Sequence, residues 1–370
     1  MPFSCPTYSV ALYRQNRVSP VARGEWHAVD FEPEGGSECI VVARSMNWCS
    51  WIRADPWLLE DTLMNETTPR LIDVDWAAFK PWKVTPVRHR ISDHPKLQLD
   101  SLVQLSTRLA KHGRIRTHSN DAYAGTAFNH APMLYPNQRS PEETLANIAS
   151  AKAWMSLLNV QTDDVYRGLV DEVLDDLKPR IDRVDPGMTY RGGWIFVTSP
   201  NTITPFHMDK EHNFILQIKG HKRLYVWEPD DIVAVSEEAR DLFHATHSRD
   251  LVAWREELRS RAHVFDLEPG MGAYMPSTAP HLVENGDGPS VTVSFTYYTD
   301  ATRRNSRLHT QHQRARSQGR TPAAVGAHPL LDTVADQTSQ AIDFLRGVTG
   351  RPVAATARSD RLPYALANVS

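Results

Sequence analysis

Cysteine is scarce in this chain. Three occur among 370 residues, Cys5, Cys39 and Cys49, and all lie in the first 50. An odd, sparse set without C-x-x-C spacing argues against a disulfide framework or a thiolate zinc site and fits a reducing compartment. Long hydrophobic runs are also missing: no stretch approaches the ~20 apolar residues that cross a bilayer. The start, "MPFSCPTYSVALYRQNRVSP", has no uninterrupted apolar core behind a basic head, so no signal peptide is expected. A soluble cytoplasmic protein is expected, with no membrane partner. The formal net charge is only -3, which gives no global reason to expect nucleic acid as the main partner. No internal repeat and no long low-complexity tract is found.

What the chain does have is enough apolar residue, 41%, to bury one large core with long decorations. Residues 1–95 are irregular and rich in Trp and Pro ("NWCSWIRADPW"), with short β-like runs such as "CIVVA", and read as an appended layer or lid. Residues 96–184 form a helical flank. In "LDSLVQLSTRLAKHG", Leu102, Leu105 and Leu109 share a helical face and Gly113 stops the helix. In "SPEETLANIASAKAW", Ser140 is the N-cap, Pro141 the first helical residue and Glu143 closes a capping box. In "TDDVYRGLVDEVLDDL", Val165, Leu169, Val173 and Leu177 line an apolar stripe opposite carboxylates.

After Pro186 the texture becomes β. "GGWIFVTSP", "NFILQIKG", "HKRLYVWEP" and "GMGAYMPSTAPHLVENGDGPSVTVSFTYYT" are short apolar or alternating runs punctuated by Gly and Pro, with "NGDG" as a turn. The fold class expected is mainly β with flanking helices, a double-stranded β-helix (jelly roll) over 185–300 with the helices packed outside. Residues 301–370 read as a polar connector and a C-terminal helix. The connector, "RRNSRLHTQHQRARSQGR", carries no acid and reads as solvated rather than as a nucleic-acid contact. In the terminal helix Leu331, Val334, Ile342 and Leu345 recur at helical spacing.

One short stretch concentrates chemistry: "TPFHMDKEHNFILQIKGHKRLYVW", residues 204–227. In a strand, residues two apart project to one face, so His207 and Asp209 can offer an imidazole nitrogen and a carboxylate oxygen to the same point. A third ligand would come from a distant strand, and His281 in "PSTAPHLVEN" stands in a β context. Two His and one carboxylate on one face of an octahedral ion leave three positions open, the arrangement of non-haem Fe(II) oxygenases. By itself H-x-D in a chain with 16 His could be a surface imidazole beside a solvated Asp. The His-containing segment "HSNDAYAGTAFNHAP" at 118–132 reads as a loop with turn and capping duties rather than a second metal site.

The surroundings of H-x-D settle its reading. Thr204, Pro205, His207, Asp209, Asn213, "QIKG" at 217–220, Lys222 and Arg223 stand in register with the JmjC and cupin-like branch of the Fe(II)- and 2-oxoglutarate-dependent oxygenases. The segment resembles most the asparaginyl hydroxylase of hypoxia-inducible factor. The resemblance covers 140–300 and is dense over 192–227 and 276–297. It implies that His207, Asp209 and His281 bind Fe(II). It implies too that Lys222 and Thr204 hold the distal carboxylate of 2-oxoglutarate as co-substrate, with Asn213 lining the same pocket. A Lys ammonium is a point charge for a carboxylate and a Thr hydroxyl adds a hydrogen bond. Where the family places an Asn near the cofactor, this chain has Ser294. Where it supplies a Tyr, this chain has Trp154, which is read as core packing.

The function this implies is a dioxygenase that hydroxylates a protein side chain, a peptide or a small amino-acid-like molecule and releases succinate and CO2. The alternative is a cupin-type metal-binding or regulatory protein without 2-oxoglutarate turnover; a buried Lys222 discriminates, because a metal-only cupin has no need of it. Histone demethylation is disfavoured, since no zinc-binding or reader module accompanies the core. The resemblance further implies a homodimer through the C-terminal helix.

Overall fold

The fold is given by a computed structural model, which describes residues 27–29, 41–43, 70–249 and 252–348. The chain divides into a unit of residues 1–69 and a unit of 70–370. In the first unit β1 (His27–Val29) pairs antiparallel with β2 (Val41–Ala43), the latter within the "CIVVA" run. The three cysteines and the rest of the lid expected up to residue 69 lie outside the described residues.

The second unit opens with β3 (Ile72–Asp73), β4 (Thr85–His89), α1 (Leu99–Ala110) and β5 (Ile115–Ser119). There follow α2 (Ala131–Leu134), α3 (Pro141–Ala146), β6 (Ala153–Leu157) and α4 (Asp164–Val184). The β block comprises β7 (Thr189–Thr198), β8 (Ile203–His207), β9 (His212–Lys219) and β10 (Lys222–Val226). After α5 (Glu237–Thr246) it continues with β11 (His263–Leu267), β12 (Met271–Met275), β13 (His281–Asn285) and β14 (Ser290–Tyr298). The unit closes with α6 (Asp300–Ser317) and α7 (Pro329–Val348).

The helix signals act as their chemistry requires. Ser140 Oγ accepts from the Glu143 N–H at 3.2 Å and the Glu143 carboxylate accepts from the Ser140 N–H at 3.0 Å, which satisfies two donors that a helix start leaves orphaned. Gly113, at φ 64°, follows the end of α1. The stripe of α4 is shifted from the expected one: Tyr166, Leu169, Val173 and Leu177 are buried, while Val165 is exposed. Asp163 explains the shift, because its side chain caps the Val165 N–H and so places Val165 on the solvent side of the first turn. The tract 303–320, expected as a connector, is helical from Asp300 to Ser317.

In the second unit the described strands pair antiparallel in two facing sheets, one of eight strands in the order β3-β4-β12-β9-β14-β7-β6-β5 and one of four in the order β11-β10-β13-β8. This is a jelly roll with flanking helices. The larger sheet extends beyond 185–300, taking β3 and β4 from before residue 95 and β5 and β6 from the helical flank. Its outer face, with Met155, Leu157, Ile195, Val197, Phe214, Leu216, Val293 and Phe295, packs on α1, α3 and α4 through Leu105, Leu145, Leu169 and Leu174. Each such side chain contributes about 1.5–3 kcal/mol by leaving water. The outer face of the smaller sheet buries Phe206, Tyr225, Trp227 and Leu282 against Val235 and Phe243 of the α5 region.

Between the sheets a small apolar plug of Ile215, Leu224, Val226, Ala273, Met275 and Val283 fills one part of the interior. Elsewhere polar side chains share the interior with Trp154 and Phe196. Along β14 the alternation puts Val293, Phe295 and Tyr297 in the outer core and leaves Thr292, Ser294 and Thr296 facing inward. A period-2 pattern with a polar half ordinarily wets that half. Here it lines the barrel.

Candidate functional site

β8 delivers His207 at its last residue, and Asp209 follows just past the strand end. β13 begins with His281, whose Cα is paired with that of His207. The Nδ1 of His207 bonds the Pro205 carbonyl at 2.7 Å and the Nδ1 of His281 bonds the Ala279 carbonyl at 3.1 Å. A carbonyl can only accept, so each Nδ1 carries the proton and each Nε2 lone pair is left for the site. Asp209 Oδ2 stands 3.9 Å from His207 Nε2 and 3.8 Å from His281 Nε2. The three donor atoms lie within 4.8 Å of one another, which is the spacing a single divalent ion fills.

Burial lowers both imidazole pKa values, that of His207 well below its ordinary value, with His281 beside it adding to the shift. Burial by itself would raise the Asp209 carboxyl, but the Arg249 guanidinium and the two imidazoles hold it well below the usual carboxylate range. Neutral imidazoles and an ionised carboxylate are the ligand-ready states.

Arg249 donates from Nη2 to Asp209 Oδ1 at 2.6 Å and from Nε to the same oxygen at 3.1 Å and to the Met208 carbonyl at 3.1 Å. It ties down one carboxylate oxygen and leaves Oδ2 aimed between the histidines. The Asp209 carbonyl accepts the Thr278 N–H at 2.7 Å. Next along the chain His212 is pinned: its Nδ1 accepts from the Ser277 N–H at 3.1 Å, so its Nε2 proton goes to Asp185 at 3.1 Å. The segment between β8 and β9 is thus fixed at both ends. Phe128, from the loop before α2, stacks on His207 with centroids 3.8 Å apart and planes at 10°. Its other neighbours are the Arg116 and Arg249 guanidiniums, 4.2 and 5.4 Å from the ring centroid.

Lys222 opens β10 directly after the turn at Gly220, whose φ of +74° and close approach to the Pro289 carbonyl admit no side chain. Register places Val226 opposite His281, and Lys222 shares the face of Val226, so the ammonium and the metal ligands look into the same interior. Four residues of strand span about 13 Å, a gap that a lysine side chain and a short dicarboxylate together fill. Lys222 is buried, and burial alone pulls its ammonium from 10.5 to about 7; among the described residues no carboxylate pairs with it.

Three interior atoms have no hydrogen-bond partner: Asn213 Oδ1, Ser294 Oγ and Ser156 Oγ. Their neighbour Gln217 is different, since its amide bonds Ser290, Lys219, Gly220 and Thr292. Within the barrel, Asn213, Ser294 and Ser156 thus keep unsatisfied polar atoms that Gln217 does not. Thr204 also faces inward, and its Oγ1 accepts from Trp154 Nε1 at 2.8 Å, which leaves the hydroxyl proton to donate elsewhere. A small polar anion with acceptor and donor needs at both ends fits this cradle.

All seven residues singled out from the sequence, His207, Asp209, His281, Thr204, Lys222, Asn213 and Ser294, line one interior. Sequence reasoning missed Arg249, Phe128 and Ser156, and it left Trp154 in the core, where it does lie buried but also holds Thr204. Only for Trp154 was there a signal, its place in the strand where the resembled family supplies a Tyr.

A jelly roll that brings a His-x-Asp pair at one strand end beside a His on the neighbouring strand has the cupin arrangement, with three residues that could hold a metal ion. Residues 59–303 match the family model of the cupin-like domain, and the chain belongs to that family. An HSPB1-associated protein 1 homolog from Danio rerio is 29% identical over 117 residues, 30% of this chain and 26% of the relative, so the match spans about a quarter of the curated relative. Among solved structures, the Escherichia coli ribosomal oxygenase YcfD in complex with cobalt and 2-oxoglutarate aligns over 74% of this chain and 68% of its own, at 14% identity and a TM-score of 0.41. A point mutant of Bacillus subtilis oxalate decarboxylase OxdC aligns over 29% of this chain and 22% of its own, at 19% identity and a TM-score of 0.20.

Proposed function

We propose that this chain is an Fe(II)- and 2-oxoglutarate-dependent dioxygenase that hydroxylates a protein side chain, a peptide or a small amino-acid-like molecule. The observation that carries the reading is Lys222, a buried ammonium with no counter-charge among the described residues, on the barrel face that also holds three residues able to bind one metal ion. A metal-only cupin has no use for that charge, and burying it unpaired is costly. A dicarboxylate reaching from the metal to Lys222 supplies the missing partner.

In this reading His207, Asp209 and His281 hold Fe(II), and Arg249 keeps Asp209 on one coordinating oxygen. Lys222 and the Thr204 hydroxyl take the distal carboxylate, while Asn213 and Ser294 satisfy the remaining polar edge of the co-substrate. The bound iron and 2-oxoglutarate supply the oxidising chemistry, in which O2 converts 2-oxoglutarate to succinate and CO2 and one oxygen enters a C–H bond of the substrate. The protein's own part is to position and to exclude water: Phe128 stacks on His207, and its loop with the following α2 presents Tyr123, Met133 and Leu134 at the surface, an apolar rim suited to a peptide.

Anaerobic addition of Fe(II) and 2-oxoglutarate is expected to produce the weak visible charge-transfer band of a bidentate keto acid on ferrous iron, and Asp209→Ala to abolish it. Fe(II) binding with neither a band nor succinate formation would return the chain to the metal-only cupins. We also infer a homodimer through α7, whose outward face is apolar.

A further inference from the structure

Outside the barrel, α5 and α6 meet along a polar seam. Glu237, Asp241 and His244 recur at i, i+4 and i+7 on α5, facing His309, His312 and Arg316 of α6. Asp241 is fully buried. Its Oδ1 accepts from His309 Nδ1 at 2.7 Å and its Oδ2 from Arg316 Nε at 2.7 Å. His312 Nδ1 lies 3.9 Å from the same Oδ1, is itself buried, and has no hydrogen-bond partner. The Glu237 carboxylate completes the cluster: donor atoms of Glu237, Asp241 and His309 lie within 4.8 Å of one another.

This arrangement repeats the logic of the triad. There Arg249 holds Asp209 Oδ1 and leaves Oδ2 facing two imidazoles; here Arg316 holds Asp241 Oδ2 and leaves Oδ1 facing two imidazoles. An ordinary interhelical salt bridge accounts for Arg316 and Asp241. It does not account for a second imidazole whose inward nitrogen is buried without a partner, nor for a second carboxylate brought into the same space. Glu237, Glu238 and Asp241 stand against the Arg316 and Arg240 guanidiniums, which leaves net negative charge at the seam that a dication would neutralise. Glu237, Asp241 and His309 already lie at ligand spacing, and His312 Nδ1, 3.9 Å from Asp241 Oδ1, is the fourth donor that moves in to complete a set of two nitrogens and two oxygens of the kind zinc takes in structural sites.

We propose that Glu237, Asp241, His309 and His312 form a second metal site, specific for a zinc-like dication, that clamps α5 to α6. On binding, the ion takes the place of the proton between His309 and Asp241, and His309 changes to its Nε2–H tautomer. The clamp lies next to the first site in sequence, because only His247 and Ser248 separate the end of α5 from Arg249 and because the His244 carbonyl of α5 accepts from Lys210 Nζ at 2.7 Å.

Zinc titration of the metal-free full-length chain, read by calorimetry and by competition with a chromophoric chelator, tests this. Wild type is expected to bind two equivalents, Asp209→Ala one, and Asp209→Ala combined with either His309→Ala or His312→Gln at least tenfold more weakly at that remaining site. Zinc should also raise the melting temperature of Asp209→Ala and fail to raise that of the double variants. His312 sits at the edge of the seam, so His312→Gln decides the matter if His309→Ala does not fold. The proposal falls if Asp209→Ala binds no zinc at micromolar concentration, or if its zinc survives both histidine substitutions. A wild type that binds one equivalent, lost with His309 and kept without Asp209, would instead sink the triad and leave the seam standing.

Discussion

Lys222 is where the chemistry is most exposed to test. Burial pulls its ammonium to about 7, against 10.5 ordinarily. Between those two values the unfolded chain binds a proton that the folded chain does not, so folding stability without co-substrate rises with pH from about 7 toward 10.5. Binding of 2-oxoglutarate has the opposite sign, because it needs the charged form: its affinity should be highest below pH 7 and fall as pH rises above it. Calorimetric titration at pH 6.5 and 8.5 measures the difference, and Lys222→Met should abolish the dependence. At fixed pH, Lys222→Ala should weaken 2-oxoglutarate by roughly ten- to hundredfold, the worth of a charge-assisted contact of about 1.5–3 kcal/mol, with metal binding largely intact. An unchanged affinity would remove Lys222 from the pocket. The residues legible in the sequence are those with short-range regularity, H-x-D and the strand that follows it. Arg249 is not legible, since its partner Asp209 is brought to it by the fold and nothing adjacent in the chain marks an arginine in "HSRD" as different from any other.

Elements are readable where a helix or strand announces itself locally. The Ser140 capping box is such a case, and Ser140→Ala should cost about 1 kcal/mol, seen as a lower denaturant midpoint with the slope unchanged. An unmoved midpoint would mean that Pro141 and packing of Leu145 set the helix start without the cap. The α6 helix escapes the sequence for the converse reason. It has no apolar stripe to reveal a period of 3.6, and the side chains that fix it are polar: His309 and Arg316 bond Asp241, and Arg307 bonds Asp336 of α7 at 2.6 and 3.1 Å. A tract without acids reads as solvated because its carboxylate partners belong to other helices. The Val165 shift has the same character, since a one-residue change of face is decided by the Asp163 cap and not by hydrophobicity.

For the whole molecule, the β block is legible as short strands, but its sheet order is not, because β3 to β6 join from segments whose texture is helical or irregular. The terminal helix raises the remaining question of assembly. Helix α7 turns a polar side to α6, with Asp332 and Asp336 buried and Gln311 of α6 bonding the Ala335 carbonyl at 3.0 Å. Its apolar residues point outward: Leu330 is 85% exposed, Phe344 72% and Val348 69%. An amphipathic helix that buries its polar side and exposes its apolar one loses about 1.5–3 kcal/mol per large side chain left in water. A second copy placed across a twofold axis covers the same stripe on both chains at once, and a stable pair needs about 1,000 Å² or more in total. Light scattering should therefore give a dimer mass for the full chain and a monomer mass for a chain ending at Thr321, with the charge-transfer band of the barrel retained in both. A shortened chain that keeps the dimer mass would take α7 out of the interface and leave its apolar face to another partner.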